Sequence, residues 1–550
     1  MARSLAFPAA RARRRAVASP EHLERLFKVP VHDRATLVEL ERELTDNLHA
    51  FLTQSKVAGE IPLGRLVAGF RDTAIPDEPR FVADHVDYLL KEVIPYSVHT
   101  GSPRFIGHMT SALPYFLISL SKCMVALHQN TVKIETSRSF TLLERQTLGQ
   151  LHRLFYRRGP EFYREHLHHR TSTLGLLLSG GTACNITALW VARNAFLDKA
   201  LGAARRQQGL GECLRQLGAR GLAVFASERA HYSLRKGADL LGIGLAGFKV
   251  VPVTRHHKIA PSLLVSAMRE ARAAGLLPFA VVGVAGTTET GHVDPLDLIA
   301  DLASEEQLHF HVDASWGGPL IFSRRHRRLL AGIERADSLS LDGHKQLYLP
   351  MGVGALLFKD PAAARAIEQE AQYVIRAGSF DLGKRSLEGS RPGMALLVHA
   401  ALHVFGRKGY ELLMDGNLAR ARAFADMIRR HPRFELVSAP ELNLLTYRYH
   451  PRPGMPASPS LLKELDALNT ALQKDQRERG RSFVSRTRLR HPEPKGPTIT
   501  VLRAVLANPL TQRRDLVEIL AEQERIAEDI LRRHPEHYRE LLRLLKGKIR

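Results

Sequence analysis

The stretch from His309 to Gly354, HFHVDASWGGPLIFSRRHRRLLAGIERADSLSLDGHKQLYLPMGVG, constrains the fold of this chain more than any other. It opens with an apolar run ending in an acid, His311-Val312-Asp313-Ala314, which reads as a buried strand whose carboxylate emerges at the strand's C-terminal end. A second β-prone run, Ser338 to Leu341, ends in Asp342-Gly343-His344-Lys345. Two neighbouring strands then deliver one carboxylate and one amine to the same rim of a sheet. Singly, neither feature is distinctive: a strand-terminal Asp is commonly a cap or an ion-pair partner, and His-Lys pairs are common on surfaces. Their spacing, the small residues around them and the motifs upstream give the pair its meaning.

Upstream the chain keeps a strand-loop-helix rhythm. Leu174 to Leu178 is a strand candidate, and Ser179-Gly180-Gly181-Thr182-Ala183-Cys184-Asn185 leads from it into an amphipathic helix. Two glycines allow close approach of an anion to the backbone, and a helix N-terminus supplies free N–H groups and a favourable dipole. Gly181 and Thr182 are therefore candidate phosphate ligands, with Asn185 a ring or substrate neighbour. Strands are also expected at Leu222 to Phe225, before Ala230-His231-Tyr232-Ser233, at Phe248 to Val253, at Phe279 to Ala285, before Gly286-Thr287-Thr288, and at the VGALLF run starting at Val353. A phosphate cup, a strand-end lysine and a strand-end acid together suit pyridoxal 5'-phosphate (PLP). The lysine holds the aldehyde as a Schiff base, and the acid keeps the pyridine nitrogen protonated so that the ring accepts electrons.

VDASWGG followed by SLSLDGHK resembles the group II PLP-dependent amino-acid decarboxylases, over a span from about Pro103 to Pro509. The resemblance implies an α/β fold: a fold type I PLP-dependent transferase-like large domain with a mostly parallel sheet, an N-terminal helical segment and a small α+β C-terminal domain. The expected divisions are an arm and helical dimerisation segment over 1–100, the PLP-binding domain over 101–400 and the small domain over 401–550. It further implies Lys345 as the Schiff-base lysine, His344 and Thr288 as cofactor neighbours, Asp313 at the ring nitrogen and His231 flat on the ring. Gly389 and Ser390, in LEGSRPG, would reach the phosphate of a second subunit, making a homodimer with interfacial sites. Arg503, in LRAVLANP, would fork the substrate's α-carboxylate, a task that suits a guanidinium. His108, Thr110 and Asn130 would line the substrate pocket, with His108 where glutamate decarboxylases have Gln. Several relatives carry a longer mobile loop with a proton-donating tyrosine; here the stretch between Arg376 and Ser386 is short and has none, Tyr373 lying just before it. The proton donor stays open, with His231 one possibility.

The remaining segments set the frame. Residues up to about Pro20 are Ala/Arg-rich and read as a mobile arm. Leu37 to Gln54 and Phe81 to Val93 carry helical spacing, and fit either a clasp on a second subunit or ordinary packing within one domain. Helices are expected at Leu402 to Met414, Asn417 to Arg430 and Asp515 to Arg532, and strands at Leu442 to Tyr449 and Thr498 to Leu506. A formal net charge of +23 admits a polyanion-binding protein, yet the arginines are spread along the chain without an RNA-binding or zinc-ligand motif. The same charge would draw in a phosphorylated cofactor and a dicarboxylic substrate. No metal is expected. Three unpaired cysteines fit a reducing, cytoplasmic setting, and the apolar stretch Ala112 to Leu127 is too short and interrupted to span a bilayer.

PRFIGHMTSALP and IRAGSFDLGKRSLEGSRPGMALLVHAALH most resemble the bacterial PLP-dependent aspartate 1-decarboxylases, which make β-alanine for pantothenate. Glutamate decarboxylation to 4-aminobutyrate is the near alternative. An aminotransferase or aldolase of the same fold would use the same Asp and Lys.

Overall fold

The computed structural model describes residues 19–32, 35–369, 378–454, 458–490 and 496–546. The expected arm, except for its last two residues, and Tyr373 lie outside these ranges. The chain divides into two compact units, one of residues up to Phe105 with Lys474–Phe483, the other of Ile106–Gln473 and Val484–Arg550.

In the first unit the helical spacing around Leu37 produces a helix over Thr36–Leu52. The periodicity from Phe81 gives Val82–Tyr88, which runs on into a wider π turn at Leu89–Val93. The Gly480 carbonyl accepts from the N–H groups of Val57 and Ala58, and the rings of Phe105 and Phe483 stack at 5.1 Å.

The second unit is built on a seven-stranded sheet. Its strands are β1 (Gly175–Leu178), β2 (Gly221–Ser227), β3 (Phe248–Val251), β4 (Leu276–Val284), β5 (His309–Asp313), β6 (Ser338–Asp342) and β7 (Gly354–Phe358). Across the sheet they stand in the order β1-β7-β6-β5-β4-β2-β3. The run from β3 to β6 is parallel, whereas β7 is antiparallel to both β1 and β6. Near-continuous apolar sequences such as Leu222–Ala226 and Phe279–Val284 are what a sheet covered on both faces requires, and these residues are buried. The helix Gly181–Leu201 packs on one face of this sheet. Parallel register pairs Asp313 with Ser340 and Val284 with Asp313, so β4, β5 and β6 end together on one rim.

A second, antiparallel sheet follows, made of β8 (Phe434–Ser438), β9 (Leu444–Tyr449), β10 (Ser485–Arg490) and β11 (Thr498–Val505), in the order β10-β11-β9-β8. Its core joins Phe434, Tyr447 and Leu502 to Ile519 and Leu520 of the helix Arg513–Arg533. Strands β8 and β10 were not expected from the sequence. The two helices expected after Ala400 are one long element, Ala395–Arg430, broken at Gly406 (φ +58°, ψ −177°) rather than between Met414 and Asn417. Only glycine takes that conformation readily, so the break falls where the sequence permits it. Among the described residues, no helix is long and apolar enough to cross a membrane.

Candidate active site

β1 hands the chain to Ser179-Gly180-Gly181, where Gly180 adopts φ +145° and Gly181 begins a 21-residue helix. The first-turn N–H groups of a helix and the positive end of its dipole favour an anion at this turn. A β-carbon at Gly181 would lie 2.7 Å from Ser315 Oγ and 3.0 Å from Asp342 Oδ2, so the cradle tolerates no side chain. Behind it, β7 comes so close that a β-carbon at Gly354 would lie 2.7 Å from the Gly180 carbonyl carbon. The Gly181 N–H donates to Asp342 Oδ2 (3.2 Å) and the Ser179 N–H to Glu388 Oε1 (3.0 Å). Thr182 is half-buried in the same first turn.

Asp342 closes β6. His344 Nδ1 stands 2.7 Å from its Oδ1 and Lys345 Nζ 3.8 Å from its Oδ2. The Oδ1 contact lacks hydrogen-bond alignment, which leaves that buried oxygen with an unmet acceptor site. At the end of β5, Asp313 accepts from Asn185 Nδ2 (2.9 Å) and the Ser315 N–H (3.1 Å), with Ser340 Oγ 3.2 Å away. Burial pushes its carboxyl up, but the charge of Lys345 and the bonds from Ser315 and Asn185 outweigh it and hold the group below its ordinary value.

His231 caps the helix Tyr232–Leu240, its Nδ1 receiving the Ser233 N–H at 3.3 Å and lying 2.8 Å from Ser233 Oγ. Burial lowers its pKa, against the pull of Asp313. Thr288 is half-buried in the turn after β4, where the side-chain hydrogen bond is made by its neighbours Thr287 and Thr290 (2.9 Å).

Arg503, on β11, is 9% exposed and donates through one terminal nitrogen to Ser485 Oγ (3.1 Å), while its buried Nε has no partner. Burial lowers it to about 10, opposed by the nearby Glu289, whose own carboxyl burial pushes up. His108 takes the Thr110 N–H on Nδ1 (3.2 Å) beside the Thr110 hydroxyl (2.9 Å). Its pKa falls through burial and the positive charges of Arg503, His344 and Lys345.

Asn130 goes elsewhere. Its Nδ2 donates to Ser390 Oγ (2.9 Å), and its Oδ1 accepts from Val132 N–H (3.1 Å) and Arg391 N–H (3.2 Å). It therefore clamps the Gly389-Ser390 turn, which the buried pair Arg391–Glu144 (3.0 Å) ties to the helix Ser139–Tyr156. Through Glu388 that turn reaches the Ser179-Gly181 cup of the same chain.

Several groups at the site escaped the sequence reading. Ser233, His311, Ser315 and Ser340 all bond to Asn185, Asp313 or their partners; they stand within the quoted motifs, which gave no sign of these bonds. Asp342 stands within the DGHK motif, yet its contact with Gly181 is a long-range one.

An anion cradle at a helix start, a lysine on the adjoining strand end and a carboxylate kept charged by that lysine and by neutral donors fit a phosphorylated aldehyde with a basic ring nitrogen. Residues 67–450 match the pyridoxal-dependent decarboxylase conserved domain. The chain belongs to that family. This PLP-dependent decarboxylase is 48% identical over 521 residues to aspartate 1-decarboxylase of Aliivibrio fischeri, covering 93% of this chain and 95% of that one. It is 30% identical over 453 residues to cysteine sulfinic acid decarboxylase of Rattus norvegicus, covering 80% and 85%. The crystal structure of mouse CSAD superposes on the decarboxylase with a TM-score of 0.79 at 27% identity, covering 91% of this chain and all (100%) of that one.

Proposed function

We propose that this decarboxylase removes the α-carboxylate of L-aspartate, releasing carbon dioxide and β-alanine. The observation that carries the substrate choice is the 48% identity to an aspartate 1-decarboxylase along almost the whole of both chains, against 30% for a cysteine sulfinic acid decarboxylase. Bound PLP supplies the electron sink for the pair left behind when carbon dioxide departs.

The chain's own residues do the rest by position and charge. Lys345 would hold the cofactor through its aldehyde. Thr182 would offer its N–H to the phosphate and Gly181, whose own N–H is bonded to Asp342, would leave room for it; His344 would stand beside the cofactor, and Gly389 and Ser390 would reach the phosphate of a second subunit. Asp313, held as an anion, would keep the ring nitrogen protonated, with Asn185 and Thr288 bordering the ring and His231 covering it. Arg503 forks the α-carboxylate, and its unpartnered Nε supports that role. His108 and Thr110 face the substrate's other end, where their polar groups stand near the positive charges of Arg503 and Lys345. Asn130 contributes through Ser390.

In this reading the protein works as a homodimer, supported by the exposed Phe27, Val29, Val31 and Ile75 of the amino-terminal unit. Its three free thiols suit the reducing cytoplasm. Product analysis tests the reaction: purified protein loaded with PLP is offered L-aspartate, L-glutamate and L-cysteine sulfinate, and carbon dioxide and amine are measured. Aspartate should give the highest kcat/KM; turnover of glutamate or an aromatic amino acid well above that of aspartate would overturn the substrate assignment.

A further inference from the structure

Asn185 is 1% exposed, and every hydrogen-bonding position of its carboxamide is used. Oδ1 accepts from His311 Nε2 (3.1 Å) and Ser340 Oγ (2.8 Å). Nδ2 donates to Asp313 Oδ2 (2.9 Å) and Ser233 Oγ (3.0 Å). An ionised carboxylate only accepts, so the nitrogen must face Asp313, and this one constraint orders the protons in both directions.

Toward the sheet interior, Asn185 Oδ1 needs a donor, so His311 carries its hydrogen on Nε2. His311 is fully buried and burial lowers it to about 4, which leaves Nδ1 bare to accept from Ser338 Oγ (2.9 Å). The single Ser338 proton is then spent, and His309 Nε2 (2.8 Å) must donate to that hydroxyl.

Toward the site, Ser233 Oγ receives the amide hydrogen of Asn185, which frees its own proton for His231 Nδ1 at 2.8 Å. The Ser233 N–H points at the same nitrogen from the first turn of the helix, where the dipole also opposes a positive charge. Two donors converging on Nδ1 exclude a hydrogen there. The charged groups acting on His231 are Asp313 and Asp342, which favour its protonation, and Lys345, which opposes it.

We propose that Asn185 and Ser233 are positioning residues that lock His231 as the neutral Nε2–H tautomer. The inference rests on the placement of His231 against the cofactor ring. A neutral imidazole covers that ring without adding a cation beside the protonated ring nitrogen, leaving Asp313 as its counter-charge. It also removes His231 as a net proton source: losing the Nε2 hydrogen would leave an imidazolate, because among the described residues the groups at Nδ1 are the hydroxyl and N–H of Ser233, and a proton could come from there only by stripping Ser233. The proton that replaces carbon dioxide therefore comes from another group, with His231 Nε2–H serving as a hydrogen-bond donor.

The test is two-bond 1H–15N correlation NMR on 15N-histidine-labelled protein, with and without PLP, the His231 signals assigned by their loss in His231→Gln. One pyridine-like Nδ1 and one pyrrole-like Nε2, unchanged from about pH 8 to about pH 6, is the expected pattern. Asn185→Asp replaces the donor with an acceptor, reverses the Ser233 hydroxyl and should bring a hydrogen onto His231 Nδ1. Ser233→Ala should raise the His231 titration midpoint by about one pH unit, the worth of one buried hydrogen bond. An imidazolium or an Nδ1–H tautomer in the unsubstituted protein at neutral pH overturns the proposal, even if both variants fail to fold. So do folded variants whose His231 signals match the parent's. Because the tautomer is read without cofactor or substrate, its failure is separable from failure of Lys345 to take up PLP.

Discussion

Position 181 has room for a hydrogen and nothing larger, because Ser315 and Asp342 close on it from the two neighbouring strand ends. Gly181→Ala should therefore displace one of those buried side chains and weaken PLP binding about tenfold or more, as followed by the absorbance of the bound cofactor; unchanged affinity would mean that the cup lies elsewhere. Arg503 makes a second residue-scale case. Lysine offers one point charge where the guanidinium offers a fork, so Arg503→Lys should raise KM for aspartate by about ten- to a hundredfold while PLP binding stays as it was. At this scale the sequence revealed residues whose chemistry is announced by their neighbours, such as Lys345 after His344 and Gly181 after Gly180. It could not reveal what holds Asn185. Ser233, His311 and Ser340 reach it across 48, 126 and 155 residues, and serine and histidine at those positions have no periodicity to mark them.

Among the elements, β7 is pressed against the turn that starts the helix Gly181–Leu201. Gly354→Ala would drive a methyl into the Gly180 backbone, which no side-chain rotation relieves, and should cost about 1–3 kcal/mol of stability together with weaker PLP binding, both readable in thermal melts with and without cofactor. Buried strands were legible because both faces are apolar: Phe279 to Ala285 was expected, and β4 covers Leu276–Val284. β10 was not, since SRTRLR buries only Leu489 and otherwise presents charges and hydroxyls, so it resembles a loop in composition. The break at Gly406 was likewise obscured, because the apolar spacing continues across it.

For the molecule as a whole, burial sets an acid limit. His152, His257, His311 and His450 are each lowered by burial from 6.5 to about 4. Between those values the unfolded chain binds protons that the folded chain refuses, so stability falls as pH drops from about 6.5 toward 4. Asp294, raised by burial to about 6, and Glu144 and Glu289, also raised by burial, work in the opposite direction over part of that range, against these four and the further imidazoles of His99, His108 and His231 that burial lowers. Tm should therefore decrease on acidification from pH 7 to pH 5, and a flat profile would contradict the neutral, buried state of these imidazoles. If the proposed homodimer forms, light scattering should return twice the mass of one chain. Covalent attachment of PLP just beyond β6 is decided by borohydride reduction of the loaded protein followed by peptide mapping. The pyridoxyl group should be found on Lys345, and Lys345→Ala should retain none; a label on another lysine, or an unchanged spectrum in that variant, would contradict it.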